Sequence, residues 1–147
     1  MEKFVSIVSR EGRILRDALA LRKMVFVEEQ QIPEHLDDDG LDATSTHVVV
    51  YHGITASALG TGRLSQADDQ HGILSRIAVH PNYRGSGIGK RIIQDLEEVA
   101  RRQALKTLEL APHQYLKAFY QSLGYEIIPD RTGRVAMHEL VYMKKTL

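Results

Sequence analysis

The run Arg76-Ile77-Ala78-Val79-His80-Pro81-Asn82-Tyr83-Arg84-Gly85-Ser86-Gly87-Ile88-Gly89-Lys90 sets three alternating glycines between a β-rich stretch and a helical one. Pro81 and Asn82 end the strand, because proline removes a ladder donor and fixes φ. Past them the glycines let the backbone turn sharply and approach a ligand with no Cβ in the way. From Ile88 the apolar positions Ile92, Leu96, Val99 and Ala100 follow at helical spacing, to about Gln103. A helix that begins inside such a turn presents unpaired N–H groups and the positive end of its dipole. That is an anion site, most naturally for phosphate.

Composition narrows what the anion belongs to. With 147 residues the chain is one domain, 1–147, able to bury roughly 70% of its unfolded surface. A formal net charge of zero argues against a broad footprint for nucleic acid or for an anionic membrane. There is no apolar run of membrane-spanning length, and Met1-Glu2-Lys3-Phe4 lacks the apolar core of a signal peptide, so a cytoplasmic location is expected. The chain has no cysteine, which removes disulfides, a thiolate nucleophile and cysteine-ligated metal centres. No metal is expected.

In chain order, Phe4 to Val8 reads as a first strand. Ile14, Ala18, Leu21 and Val25 share a helical face that continues through Gln31 until Pro33 stops it. Glu34 to Asp42, with Asp37-Asp38-Asp39-Gly40, reads as a solvated acidic loop or, more sharply, as a wall that attracts a cationic substrate. Its spacing fails the calcium-loop pattern. His47 to Tyr51 is a strand with a hairpin turn at His52-Gly53. Thr55 to Leu64 returns, with Gly60 and Gly62 marking a bulge or a close approach. Ile73 to Val79 completes a three-stranded antiparallel meander. After the long helix, Thr107 to Ala111 is a strand parallel to Ile73–Val79, since a helix supplies the crossover. A short helix, Tyr115 to Leu123, closes at Gly124. Tyr125 to Pro129 and a stretch within Val135–Lys145 finish the sheet around a turn at Arg131–Arg134. The class is α+β or α/β, a mixed sheet with helices on both faces.

Several owners of glycine-rich turns fail on spacing. A P-loop needs G-x-x-x-x-G-K-[ST], and here Gly89-Lys90 is followed by Arg91. The Rossmann G-x-G-x-x-G spacing and the G-x-S-x-G elbow are also absent. A purely structural turn is left as an alternative, which the basic Arg84, Lys90 and Arg91 disfavour.

Arg84-x-x-Gly87-x-Gly89, after Ile77-Ala78-Val79-His80-Pro81 and before a long helix, resembles the acetyl-CoA signature of the GNAT N-acetyltransferases. Phe119-Tyr120-Gln121-Ser122-Leu123-Gly124-Tyr125 is similar to a second segment of that family. Arg22 to Gln30, with Asp39, Asp42 and His47, resembles its ElaA/YjcF-type branch. The resemblance implies a mostly antiparallel mixed sheet splayed between strands four and five. It implies acetyl-CoA as co-substrate, with Arg84, Gly85, Ser86, Gly87, Ile88, Gly89 and Lys90 around its pyrophosphate and the backbone of Ile77, Ala78 and Val79 along its pantetheine arm. An N–H near Ala78 or Val79 then stabilises the oxyanion.

Tyr120 stands where family members place a general acid. A phenol of pKa about 10 protonates a thiolate of pKa near 8.5 only if well positioned. His47, Glu109 and His138 are the candidate bases for the incoming amine. His113 occupies a place where many members have asparagine and is a candidate cofactor contact. With no cysteine to carry the acetyl group, direct transfer to a small-molecule amine in a ternary complex is expected. The rival is a non-catalytic acyl-CoA-binding or sensing module of the same fold. Glu28, Glu29 and the acidic loop would border the acceptor pocket. Exposed sheet edges favour pairing, so a homodimer is expected.

Overall fold

The computed structural model describes residues 3–147. All seven strands join one sheet in the order β1-β2-β3-β4-β5-β7-β6. They are β1 (Phe4–Ser9), β2 (Thr46–His52), β3 (Ala58–Gln66), β4 (His71–Val79), β5 (Thr107–Leu110), β6 (Glu126–Val135) and β7 (His138–Thr146). Every neighbouring pair is antiparallel except β4 with β5, which are parallel across the helix that connects them. This is the mixed, mostly antiparallel sheet that the resemblance implies. Val48, Val49 and Val50 are buried on both sides of β2, as an unbroken β-branched run in an interior strand requires.

Helices cover both faces. α1 (Gly12–Arg22) packs on β2, β3 and β4 from one side, and α3 (Ile88–Arg102) packs on the same strands from the other. α3 buries Ile88, Ile92, Ile93, Leu96 and Ala100. Glu97 lies in the same stripe, and its carboxylate accepts from the Tyr125 hydroxyl at 2.8 Å and Lys145 Nζ at 3.0 Å, so the charge is not stranded. Two short helices, α2 (Glu34–Asp37) and α4 (Lys117–Ser122), complete the layers.

Three local readings change. The first helix does not run on as one α-helix to Gln31; Lys23–Glu29 is π-helical, a one-residue re-phasing that apolar periodicity does not register. The acidic stretch contains α2 and is largely exposed, as a solvated loop would be, but Asp37, Asp39 and Asp42 within it are held in ion pairs. The expected turn at Arg131–Arg134 lies inside β6, and the chain reverses at Ala136-Met137 instead, with Ala136 at φ 51°. Gly133 suggested a turn. A Cβ there would stand 2.6 Å from the Tyr142 hydroxyl, so the glycine gives that ring room within the hairpin.

Among the described residues no helix is long and apolar enough to cross a membrane, and no group of three or more acidic or histidine side chains could hold a metal ion.

Candidate active site

The glycine turn is built as an open cradle. β4 ends at Val79, and Pro81–Tyr83 forms a 3-10 turn capped by His80, whose Nδ1 accepts from the Asn82 N–H at 3.1 Å. Gly85 and Gly87 have φ of 79° and 86°, and Gly87 caps α3 in the left-handed conformation. The Arg91 N–H bonds to the Gly87 carbonyl at 3.0 Å, so the amides of Ile88, Gly89 and Lys90 precede the helical ladder and face outward. Ile88 itself is buried and anchors the cradle, contributing backbone rather than side chain. Ser86 Oγ donates to the Tyr83 carbonyl.

The basic residues divide. Lys90 is exposed beside the turn, whereas Arg91 Nε donates to Ser6 Oγ at 2.7 Å, away from it. Arg84 makes a two-pronged ion pair with Glu29, both bonds 2.5 Å, which holds the Glu29 carboxyl below its usual range.

The sheet opens next to this cradle. β4 and β5 pair only from His71↔Thr107 to Ile73↔Glu109; β5 stops at Leu110 while β4 continues to Val79. The register of β4 against β3 also slips, from Arg63↔Ser75 to Thr61↔Ala78, and Arg76 sits in the bulge at φ 57°. The bulge inverts the facing of the strand. Ser75 lies on the α1 face, opposite Leu74, whereas Ile77 and Val79 beyond the bulge lie on the α3 face: Ile77 stands 3.4 Å and Val79 3.9 Å from where Cβ atoms on Gly62 and Gly89 would be. The β5-side backbone of Ile77–Val79 is left without a strand partner among the described residues.

A cavity of about 400 Å³ occupies the gap and crosses the plane of the sheet. Leu74, Ile77 and Tyr120 line it on the α3 side; Ser65, Ile73 and Ser75 line it on the α1 side, with Leu110–His113 along the β5 margin. Tyr120 is 3% exposed, its ring edge-on to Phe119 and Tyr125, and its hydroxyl has no hydrogen-bond partner among the described residues. Burial, and secondarily Tyr115, pushes its pKa well above the usual phenol value.

The histidines and glutamate proposed as bases separate. His47 is 1% exposed, does not line the cavity, and its Nε2 lies 2.9 Å from the Asp42 carbonyl oxygen. Glu109 is half-exposed on the β5 surface and pairs with Arg131 at 3.3 Å, also outside the cavity lining. His138 Nε2 lies 2.9 Å from the Gln30 carbonyl oxygen, and its ring centroid is 4.7 Å from that of His113. None of these three lines the cavity, whereas His113, expected as a cofactor contact, does. Its Nδ1 is shut off from solvent, and neither ring nitrogen has a hydrogen-bond partner among the described residues. Burial, reinforced by His138, lowers its pKa, so it is neutral near pH 7.

The acidic loop is not a free negative wall. Arg22, Asp37, Arg76, Asp39, Arg63 and Asp42 form a closed ring in which each charge meets two of opposite sign. Asp37 bridges Arg22 and Arg76, both at 2.9 Å. Asp39 bridges Arg76 at 3.3 Å and Arg63 at 2.6 Å. Asp42 bridges Arg63 at 3.0 Å and Arg22 at 2.8 Å. Burial alone would push the Asp42 carboxyl up; the two guanidinium groups outweigh it and hold it low. Asp39 is held far below the carboxylate range, chiefly by Arg63. Arg22 and Arg63 are 1% and 2% exposed. Their importance had a sequence signal: an arginine inside an apolar strand or on a buried helix face requires a carboxylate partner.

Residues 14–125 match the Acetyltransferase (GNAT) family. The uncharacterized N-acetyltransferase YjcF of Bacillus subtilis is 31% identical over 126 residues, covering 86% of this chain and 88% of YjcF. The crystal structure of Escherichia coli ElaA superposes with a TM-score of 0.80 at 24% identity, over 99% of each chain. A GNAT family acetyltransferase of Elizabethkingia anophelis, solved with acetyl-CoA bound, superposes with a TM-score of 0.73 at 15% identity over 98% of each.

Proposed function

The chain belongs to the GNAT family of acetyltransferases, and from that premise we propose that it transfers the acetyl group of acetyl-CoA directly to the amine of a small molecule. The observation that carries the reading is the parting of β4 from β5 beside the Gly85–Lys90 cradle, with the Tyr120 side chain lining the gap. The acetyl-CoA bound to the Elizabethkingia relative supports the choice of co-substrate.

The residues fit such a ligand. Outward amides at the start of α3, with the helix dipole and Lys90, suit a pyrophosphate. Arg84 joins them only on leaving Glu29. The unpaired backbone of Ile77–Val79 suits an amide-bearing pantetheine arm, and an N–H near Ala78 or Val79 would stabilise the oxyanion. The amine nitrogen forms its bond to the carbonyl carbon, and the C–S bond breaks. The thiolate's negative charge is met by the Tyr120 hydroxyl. Burial raises the Tyr120 pKa, which keeps the phenol protonated but makes it a weaker acid toward the thiolate, so its contribution rests on a hydrogen bond positioned at the departing sulfur. The amine must shed a proton; His113, neutral and unpartnered, takes it, with His138 behind it holding the ring. One proton leaves the amine and one ends on the CoA thiol.

Thiol release from acetyl-CoA across an amine panel tests the reading. Tyr120→Phe lowers kcat by about a hundredfold, within the range for a lost general acid, while the CoA Kd stays within about threefold. A wild-type protein that binds acetyl-CoA yet releases no thiol with any amine would be a sensing module instead.

A further inference from the structure

We propose that the acceptor is a monoamine on an uncharged, largely apolar body, rather than a polyamine, an amino acid or another multiply charged amine. This narrows the N-acetyltransferase reading and rests on it. The direction of entry comes first. The cradle caps α3, so the nucleotide end of the co-substrate lies on that side, and its acetyl end reaches the gap from the α3 face. The acceptor then enters from the opposite face, which α1, the π-helical turn and α2 cover.

The wall on the acceptor side is apolar and comes from separate parts of the chain. Phe26 projects from the π-helical turn, Ile32 and Leu41 from the flanking loops, Leu36 from α2, Ile73 from β4 and Leu140 from β7. Charges do reach this wall, at Asp37, Asp39, Arg63 and Arg76, but all four belong to the closed ring. A second ammonium on the acceptor would have to compete with a guanidinium already paired to each carboxylate, and displacing Arg63 would strand a buried cation. A carboxylate would have to displace an aspartate. Neither finds an unpaired charge among the described residues that line the cavity: the hydrogen-bonding positions left open there are Asp37 Oδ1, which is ion-paired to Arg76, and Nδ1 of the uncharged His113 ring. At about 400 Å³, shared with the thioester end, the cavity is also near the lower limit for ligand pockets of roughly 300–1,000 Å³.

Hexylamine, hexanediamine and aminohexanoate share one chain and differ only at the far end, which makes them the test set. Thiol release should give hexylamine a kcat/KM at least about tenfold above either of the others, the ordinary discrimination of an apolar pocket. Equal or better turnover of the diamine or the amino acid would overturn the inference. Equilibrium binding of each amine to the CoA-loaded protein separates the two layers of the argument. Selective binding of hexylamine without turnover would keep the acceptor class and sink the acetyltransferase reading; binding of none would sink the acceptor class itself. Arg76→Leu opens the ring at Asp37 and Asp39, so the diamine-to-monoamine ratio should rise about threefold or more, on the scale of a partly exposed pair. An unchanged ratio would refute ring neutrality as the source of charge selection.

Discussion

An alanine at Gly62 would place its Cβ 2.5 Å from Ile92 Cγ2 and 3.0 Å from Leu96 Cδ1. Both side chains are fully buried, and Ile92 is β-branched with little rotamer freedom, so α3 itself would have to lift from the sheet. Gly62→Ala should therefore cost about 1–3 kcal/mol in urea unfolding and weaken CoA binding as well, because the cradle is the first turn of α3. Lost stability with an unchanged CoA Kd would show that the cradle tolerates the shift. Gly60 and Gly62 were legible as a bulge or a close approach, and both readings describe the place. What approaches was not legible, since Ile88 and Ile92 come far later in the chain. The same non-locality hid the ring: Arg63 and Asp39 are separated by 24 residues.

Between elements, the bond from Glu29 to Arg84 joins the end of the π-helical turn to the cradle. Arg84 was expected among the phosphate contacts, and in this structure its guanidinium is held by a carboxylate that would also repel phosphate. Glu29→Gln removes both effects. A partly exposed pair is worth up to about 1 kcal/mol, so CoA affinity should rise by up to about fivefold. The gain should shrink at high salt, and calorimetric titration at two ionic strengths would measure it. A weaker CoA complex would mean that Glu29 orients Arg84 for the phosphate. The helical phase of Ala18, Leu21 and Val25 was readable and all three are buried. The π-helical step over Lys23–Glu29, just past Arg22, was not, because inserting one residue leaves an apolar pattern of this length nearly unchanged.

At the scale of the molecule, the β2–β3–β4 meander and the parallel β4–β5 crossover followed from element order and connection length, the place of β7 between β5 and β6 did not, and the family resemblance supplied the splay. Burial patterns alone do not show where two parallel strands part. The distribution of charge, however, predicts how the whole fold responds to acid. Burial lowers the pKa of His47, against the Asp42 carbonyl which raises it, and burial with His138 lowers that of His113. The unfolded chain takes up protons at these histidines near pH 6.5, where the folded chain still refuses them. More protons bound in the unfolded state means that stability falls as pH falls, so the loss begins near pH 6.5 and continues toward the lower folded values. The ring acts in a second window. Asp39 and Asp42 have depressed pKa values, so their contribution is complete above the unfolded carboxylate value of about 3.9. It is lost only as pH drops through the folded values below that. Tm measured from pH 8 to pH 3 should therefore fall in two stages, roughly below 6.5 and below 4. His113→Gln should reduce the first stage and leave the second, and a Tm that is flat from pH 7 to pH 4.5 would rule out the histidine contribution.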